Sequence, residues 1–321
     1  MPTVAIPYVP MPANQNPNIK VRADSDNVYM KAALVALASF SRWNPGWDLA
    51  LVTNGQVSEY WRNLFGSIGA RVDLLSFHHE PPVGFMKAFA GSLFLLDAVQ
   101  DYGRSDYLLL IDPDVLAVGK LPSLPPDQAL ALRISSDLDE TINGLKLRHA
   151  VEIAESLTGK VQAGIHFGGE LYGLPQSIRE QASQWLSEAW KSAQERFSVG
   201  ETHFITEEHM MTFVLGQIST QEASKLIRRI WTAHGYRTVR GDEDEVPLWH
   251  LPAEKERAFA AIFPAVLDGA SWFWTSDEVA FRDTVAALTG MRNRSAFRLG
   301  RDALGHVIDR SRKTARRFFS S

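Results

Sequence analysis

Hydrophobic positions along the chain fall into short runs that alternate between a two-residue and a helical period. Residues 4–9 form a brief apolar run interrupted by Pro7, which predicts a first strand. Residues 10–26 are polar and proline-rich and read as a loop. Asp24, Ser25 or Asp26 can cap a helix over 27–43, where alanines and leucines keep helical spacing until Asn44-Pro45-Gly46 stops it. A strand over 48–53 ends at Asn54-Gly55. The helix predicted over 58–68 puts Trp61, Leu64, Phe65 and Ile68 on one face, and a strand over 71–77 follows its closing Gly69. After a loop at 78–84, residues 85–102 predict a helix that turns Phe89, Leu93, Leu96 and Val99 inward. Tyr107 to Ile111 is then an unbroken apolar run, the pattern of a strand buried on both faces. This alternation predicts an α/β fold: a twisted, mostly parallel sheet with helices on both faces.

The second half is less regular. A strand is predicted over 129–134, a polar stretch with helical character near 147–157, and a glycine-bearing strand over 165–173. Glycines there serve either close backbone approach to a ligand or a bulge. A long amphipathic helix over 176–197 carries Trp185 and Trp190. The helix over 206–215 is capped by Thr206 and has Glu207 and Glu208 in its first turn, where the dipole favours anions. An edge strand at 227–231, an acidic loop at 241–245, Leu248-Trp249-His250 and a helix over 252–263 complete this part.

The candidate chemistry sits at residues 112–114. Pro113 has no amide donor, so regular pairing ends there. Residues two apart on extended backbone point the same way, so Asp112 and Asp114 emerge together at the carboxyl end of a central strand. Ligands of open α/β sheets bind at that edge. Paired hard oxygens suit magnesium or manganese, and such metals often carry a diphosphate. The pairs Asp24/Asp26, Asp137/Asp139 and Asp242/Asp244 follow no buried-strand run and read as turns or helix starts.

With these features in order, the chain resembles a nucleotide-sugar-dependent glycosyltransferase of the GT-A fold, family eight above all. Tyr107-Leu-Leu-Leu-Ile-Asp112-Pro-Asp114-Val looks like that fold's strand and metal-binding Asp-x-Asp. The resemblance implies a manganese or magnesium ion, a nucleotide-sugar donor linked to UDP, and a saccharide or lipid-linked acceptor. It further implies His250 as a third metal ligand, and Lys87 and Lys255 on the donor diphosphate. Ile165-His-Phe-Gly-Gly-Glu170 is similar to the acceptor side of the cleft. Glu207-Glu208-His209 is similar to a helix start that carries an acidic active-site residue. Glu170, Glu207 and Glu208 are thus the candidate catalytic acids, as base, stabiliser or nucleophile. The spacing from His250 to Lys255 departs from the family pattern, and no Lys-Pro-Trp follows.

Composition narrows the alternatives. With 321 residues, 45% hydrophobic and 22% charged, the chain can bury a large core, and it has no cysteine for a disulfide or thiolate site. A net charge of -4 gives no drive toward nucleic acid. From Met291 onward, nine Lys and Arg against Asp302 and Asp309 make +7, which leaves -11 for the rest. That tail predicts a separate basic amphipathic helix over 291–321 beyond a catalytic domain over 1–290. It would contact an anionic membrane surface, or pack on the core or on a second copy of the chain. No signal peptide or spanning helix is expected, so the location expected is cytoplasmic, peripheral at the membrane if the tail binds lipid. A metal-dependent nucleotidyltransferase or phosphoesterase would use the same carboxylates. The former normally needs a Gly-rich loop after the first strand, where Pro7-Tyr8-Val9-Pro10 stands. A non-catalytic sugar-nucleotide-binding protein would not need the aspartate pair.

Overall fold

Strand β1 (Thr3–Tyr8) pairs in parallel with β2 (Asp48–Thr53) on one side and β4 (Tyr107–Ile111) on the other, and β3 (Ala70–Leu74) extends the sheet beyond β2. The structure is a computed structural model that describes residues 1–10, 25–86, 90–102, 105–233 and 237–292. Between these strands run α1 (Ser25–Trp43), α2 (Glu59–Ser67) and α3 (Phe94–Asp101). Side chains of β4 divide between two cores. Tyr107, Leu109 and Ile111 pack with α1, while Leu108 and Leu110 pack with α3. Covering both faces is what makes the unbroken apolar runs necessary.

After β5 (Val115–Ala117) come β6 (Ala129–Ser135), a small hairpin of β7 (Thr141–Ile142) and β8 (Leu145–Lys146), and α4 (Leu147–Thr158). The ten residues of β9 (His166–Pro175) are all buried, and β9 runs antiparallel between β4 and β6. Helices α5 (Gln176–Ser198) and α6 (Glu207–Gln217) cover this half on the α3 side, and β10 (Thr220–Glu222) pairs with the free edge of β6. Next are β11 (Ile227–Arg229) and β12 (Leu248–His250), then α7 (Ala260–Leu267), α8 (Trp272–Thr275) and α9 (Glu278–Thr289), which pack on the α1 side. Among the described residues the main sheet has the order β10-β6-β9-β4-β1-β2-β3, and a second sheet has the order β11-β12-β5.

Three local readings change. The expected helix over 85–102 is a 3-10 turn, Ala90–Leu93, leading into the shorter α3. The polar stretch after β6 contains the β7–β8 hairpin, turned by Asn143-Gly144 with φ of 47° and 90°. That pair of left-handed residues is what a two-residue hairpin turn demands. The expected helix over 252–263 starts instead as a wide π-turn, Lys255–Phe259, and continues as α7 through Pro264. The main sheet is mostly parallel, as expected, with β9 entering antiparallel. Lys87, the Asp24 cap and the predicted basic helix from residue 293 onward lie outside the described residues. No helix among the described residues is long and apolar enough to cross a membrane.

Candidate active site

From β1 the chain winds outward to β2 and β3, then returns to place β4 on the opposite side of β1. The crevice outside the carboxyl ends of β1 and β4 is therefore a topological switch point, where open α/β sheets bind ligands. Asp112 lies at that edge. Its amide donates to Glu170 O at 3.1 Å, so pairing with β9 persists one residue past β4. Val115 N then donates to Asp112 O at 3.1 Å, closing a turn around Pro113 that sends β5 into the second sheet. The Asp112 side chain is 42% exposed, whereas that of Asp114 is fully buried.

His250 arrives from far along the chain through that second sheet. It pairs opposite Val115 in the antiparallel β5–β12 ladder, and Leu251 N donates to Asp114 O at 3.0 Å. This register puts His250 Nε2 3.4 Å from Asp114 Oδ1 and 3.6 Å from Asp112 Oδ2. One ligand atom from each of the three residues lies within 4.8 Å of the others, and among the described residues this is the grouping able to hold a metal. Asp114 Oδ1 is buried with no hydrogen-bond partner. An orphaned carboxylate oxygen facing a second carboxylate and an imidazole nitrogen fits a hard divalent cation. The nitrogen favours manganese slightly over magnesium.

Lys255, expected on a donor diphosphate, is buried against Asp114 Oδ2 at the start of the π-turn. Its ammonium also lies 5.8 Å from the centre of the Tyr29 ring. Burial alone would raise the Asp114 carboxyl, but Lys255 and His250 outweigh it and hold the group below the usual carboxylate range. Asp112 moves the other way, to about 7, through desolvation and the charge of Asp114. His250 is raised to about 9, because Asp114 and Glu170 outweigh the cost of its burial. Because Nε2 can ligate only without a proton, metal binding at this ring depends on pH.

The three candidate acids have different surroundings. Glu170 is fully buried, with Arg229 Nε at 2.8 Å from Oε1 and Arg229 Nη2 at 2.5 Å from Oε2. Arg229 is aligned with His250 by the parallel β11–β12 register. Despite burial, His250 and Arg229 lower the Glu170 carboxyl to about 2. Gly168 makes room for this pair: any Cβ there would collide with the Glu170 carboxylate and the Arg229 guanidinium. The close approach made by these glycines is thus to charged side chains. Glu208 accepts from Asn143 Nδ2 at 2.8 Å and Gly169 N at 3.1 Å, and it lies 3.3 Å from His166 Nε2. Burial works against its charge, but His166 and Arg229 keep it low. Glu207 contacts the Ser92 hydroxyl and is pushed up to about 8 by burial and by Glu208. The two neighbours are thus pushed in opposite directions, Glu207 up and Glu208 down.

Five residues of this edge escaped the sequence reading as site residues: Tyr29, Ser92, Asn143, His166 and Arg229. Asn143 had a usable signal in the Asn-Gly turn dipeptide, and His166 in the 165–170 segment that resembles an acceptor side. Arg229 sits on a three-residue strand with no motif around it. Two of the other Asp-x-Asp pairs lie in turns or helix starts, with Asp137 Oδ1 accepting from Asp139 N at 3.0 Å and Asp242 preceding the short 3-10 turn at Glu243–Glu245, while Asp24 lies outside the described residues.

No family model and no curated protein matches the chain. Among solved structures it is similar to the galactosyltransferase LgtC in complex with donor and acceptor sugar analogs, at 12% identity and a TM-score of 0.48, over 91% of this chain and 97% of that one. The apo structure of the bifunctional glycosyltransferase WbbM is also similar, at 12% identity and a TM-score of 0.48, over 77% of this chain. The match spans 45% of the WbbM chain. Mouse xyloside xylosyltransferase 1 in its apo form is similar at 13% identity and a TM-score of 0.46, over 77% of this chain and 96% of that one. What the site can do follows from its own geometry.

Proposed function

We propose that the chain is a metal-dependent glycosyltransferase that moves a sugar from a nucleoside diphosphate donor, a UDP-sugar, to a saccharide acceptor, free or lipid-linked. The observation that carries this reading is the buried, unpartnered Asp114 Oδ1 facing His250 and Asp112 at the switch point of the sheet. Asp112, Asp114 and His250 would hold the metal. When bound, a divalent ion offsets the negative charge that develops on a departing diphosphate. Among the described residues, the carboxyl groups of Asp112, Asp114, Glu170, Glu207 and Glu208 meet here with Arg229, Lys255 and His250.

Lys255 keeps Asp114 ionised, and Lys87 is assigned to the donor phosphates. Glu208, held in place by Asn143 and the Gly169 amide, supplies a fixed negative charge. Among the described residues no basic side chain pairs with Glu207, and its carboxyl, raised to about 8, can exchange its proton with an acceptor hydroxyl. The test is incubation with manganese and a panel of UDP-sugars, reading release of UDP with and without saccharide acceptors. Manganese-dependent UDP release that Asp114→Asn abolishes is expected. Release of nucleoside monophosphate, or equal turnover in excess chelator, would overturn the reading.

A further inference from the structure

The buried Nδ1 of His250 has no hydrogen-bond partner, and Glu170 Oε1 stands 3.6 Å from it. Nε2 on the other side of the ring faces Asp112 and Asp114. The imidazole is therefore strung between a metal-binding pair of carboxylates and a third carboxylate behind it. We propose that Glu170 is a positioning residue for the metal centre: its carboxylate accepts a hydrogen bond from His250 Nδ1–H and so presents Nε2 as the ligand, while Arg229 anchors the carboxylate from behind. This rests on the metal-dependent reading above.

The chemistry matches at each link. An imidazole that ligates through Nε2 must carry its proton on Nδ1, and that proton needs an acceptor in a site closed to water. Glu170 is fully buried, and both its oxygens already face Arg229. A carboxylate clamped in two places suits the holding of a neighbouring ring better than attack on a sugar or proton exchange with an acceptor. Such outer partners fix ring orientation and raise ligand basicity, and their removal typically costs 10–100-fold in metal affinity. Local backbone structure supports the arrangement independently of the side chains. Asp112 N donates to Glu170 O, and Arg229 is in register with His250, so β4, β9, β11 and β12 all converge on this one contact. Arg229 Nη2 also reaches Glu208 Oε1 at 4.0 Å, which joins the metal centre to the acids of α6 through one guanidinium.

The experiment is a double-mutant cycle read by manganese binding, with the free-ion electron paramagnetic resonance signal measured during titration with Mn2+ alone. Wild type should bind, and Glu170→Gln should bind about 10–100-fold more weakly. In a His250→Gln background the same Glu170→Gln change should cost several-fold less, since the ring that it orients is gone and only its charge near Asp112 still acts. A purely structural Glu170 would instead lower both backgrounds equally. Should Glu170→Gln fail to fold because Arg229 loses its partner, Glu170→Gln/Arg229→Gln removes both charges together and must show the same loss. Unchanged affinity in Glu170→Gln, or equal losses with and without His250, overturns the positioning role and leaves the metal site standing. Absence of manganese binding in wild type overturns both.

Discussion

Asp114→Asn is the most informative single change, because Asp114 has two duties that can be separated. One oxygen is the orphan facing His250, and the other holds the buried Lys255 ammonium. Asparagine keeps the shape and removes the charge. Lys255 is then left buried without its carboxylate, and breaking a buried pair in this way costs about 3–5 kcal/mol. That is a large share of the ~5–15 kcal/mol typical of a folded protein. In Asp114→Asn/Lys255→Met the unpaired ammonium is removed too, so stability should return to within about 1 kcal/mol of wild type. Manganese binding and UDP release should stay lost in both variants.

Urea unfolding supplies the stabilities, and the metal titration supplies the binding. The folded-state carboxyl lies below its unfolded value, so its contribution is fully present above the ordinary carboxylate pKa of about 4 and fades as pH falls through the folded value. The gap between wild type and Asp114→Asn should therefore narrow in strong acid. Loss of less than about 1 kcal/mol at neutral pH would show that the pair carries no net stability. Manganese binding in the double variant at wild-type strength would remove Asp114 from the ligand set.

His209 accepts the Thr206 amide at 3.2 Å through Nδ1 and donates through Nε2 to Ile142 O at 3.1 Å, a pairing that needs the neutral ring. Burial holds its pKa down at about 4, so protein with His209 should lose up to about 3 kcal/mol between pH 6.5 and 4, and His209→Gln should flatten that part of a urea-midpoint profile. Gly168→Ala places a methyl group against Glu170 and Arg229, with an expected cost of about 1–3 kcal/mol and weaker manganese binding, measured by the same titrations. Glu207→Gln should lower kcat by about 10²-fold or more without altering manganese affinity; an unchanged kcat would remove Glu207 from the chemistry. Lys87→Ala should raise the donor KM more than the acceptor KM, and an unaltered donor KM counts against its phosphate role.

Local patterns (apolar runs, helical spacing, caps and stop signals) were enough to place β1, β2, β4, α1, α5 and α6, because each of these signals lies within the element or at its ends. The Asp112/Asp114 pair was legible for the same reason: a buried strand, a proline and two carboxylates are all within one short segment. Tertiary structure decided the rest. Asp114 and Lys255 are 141 positions apart, and Glu170 and Arg229 are 59 apart, so only the packing of the second sheet against the first could bring them together. His250 was singled out by resemblance, but its orientation came from the β5–β12 register. The antiparallel entry of β9 was hidden as well, since a strand buried on both faces has the same apolar pattern in either direction. Differences among Glu170, Glu207 and Glu208 depend on which cation or amide lies beside each, and charge interactions across a folded edge leave no periodic trace in the chain.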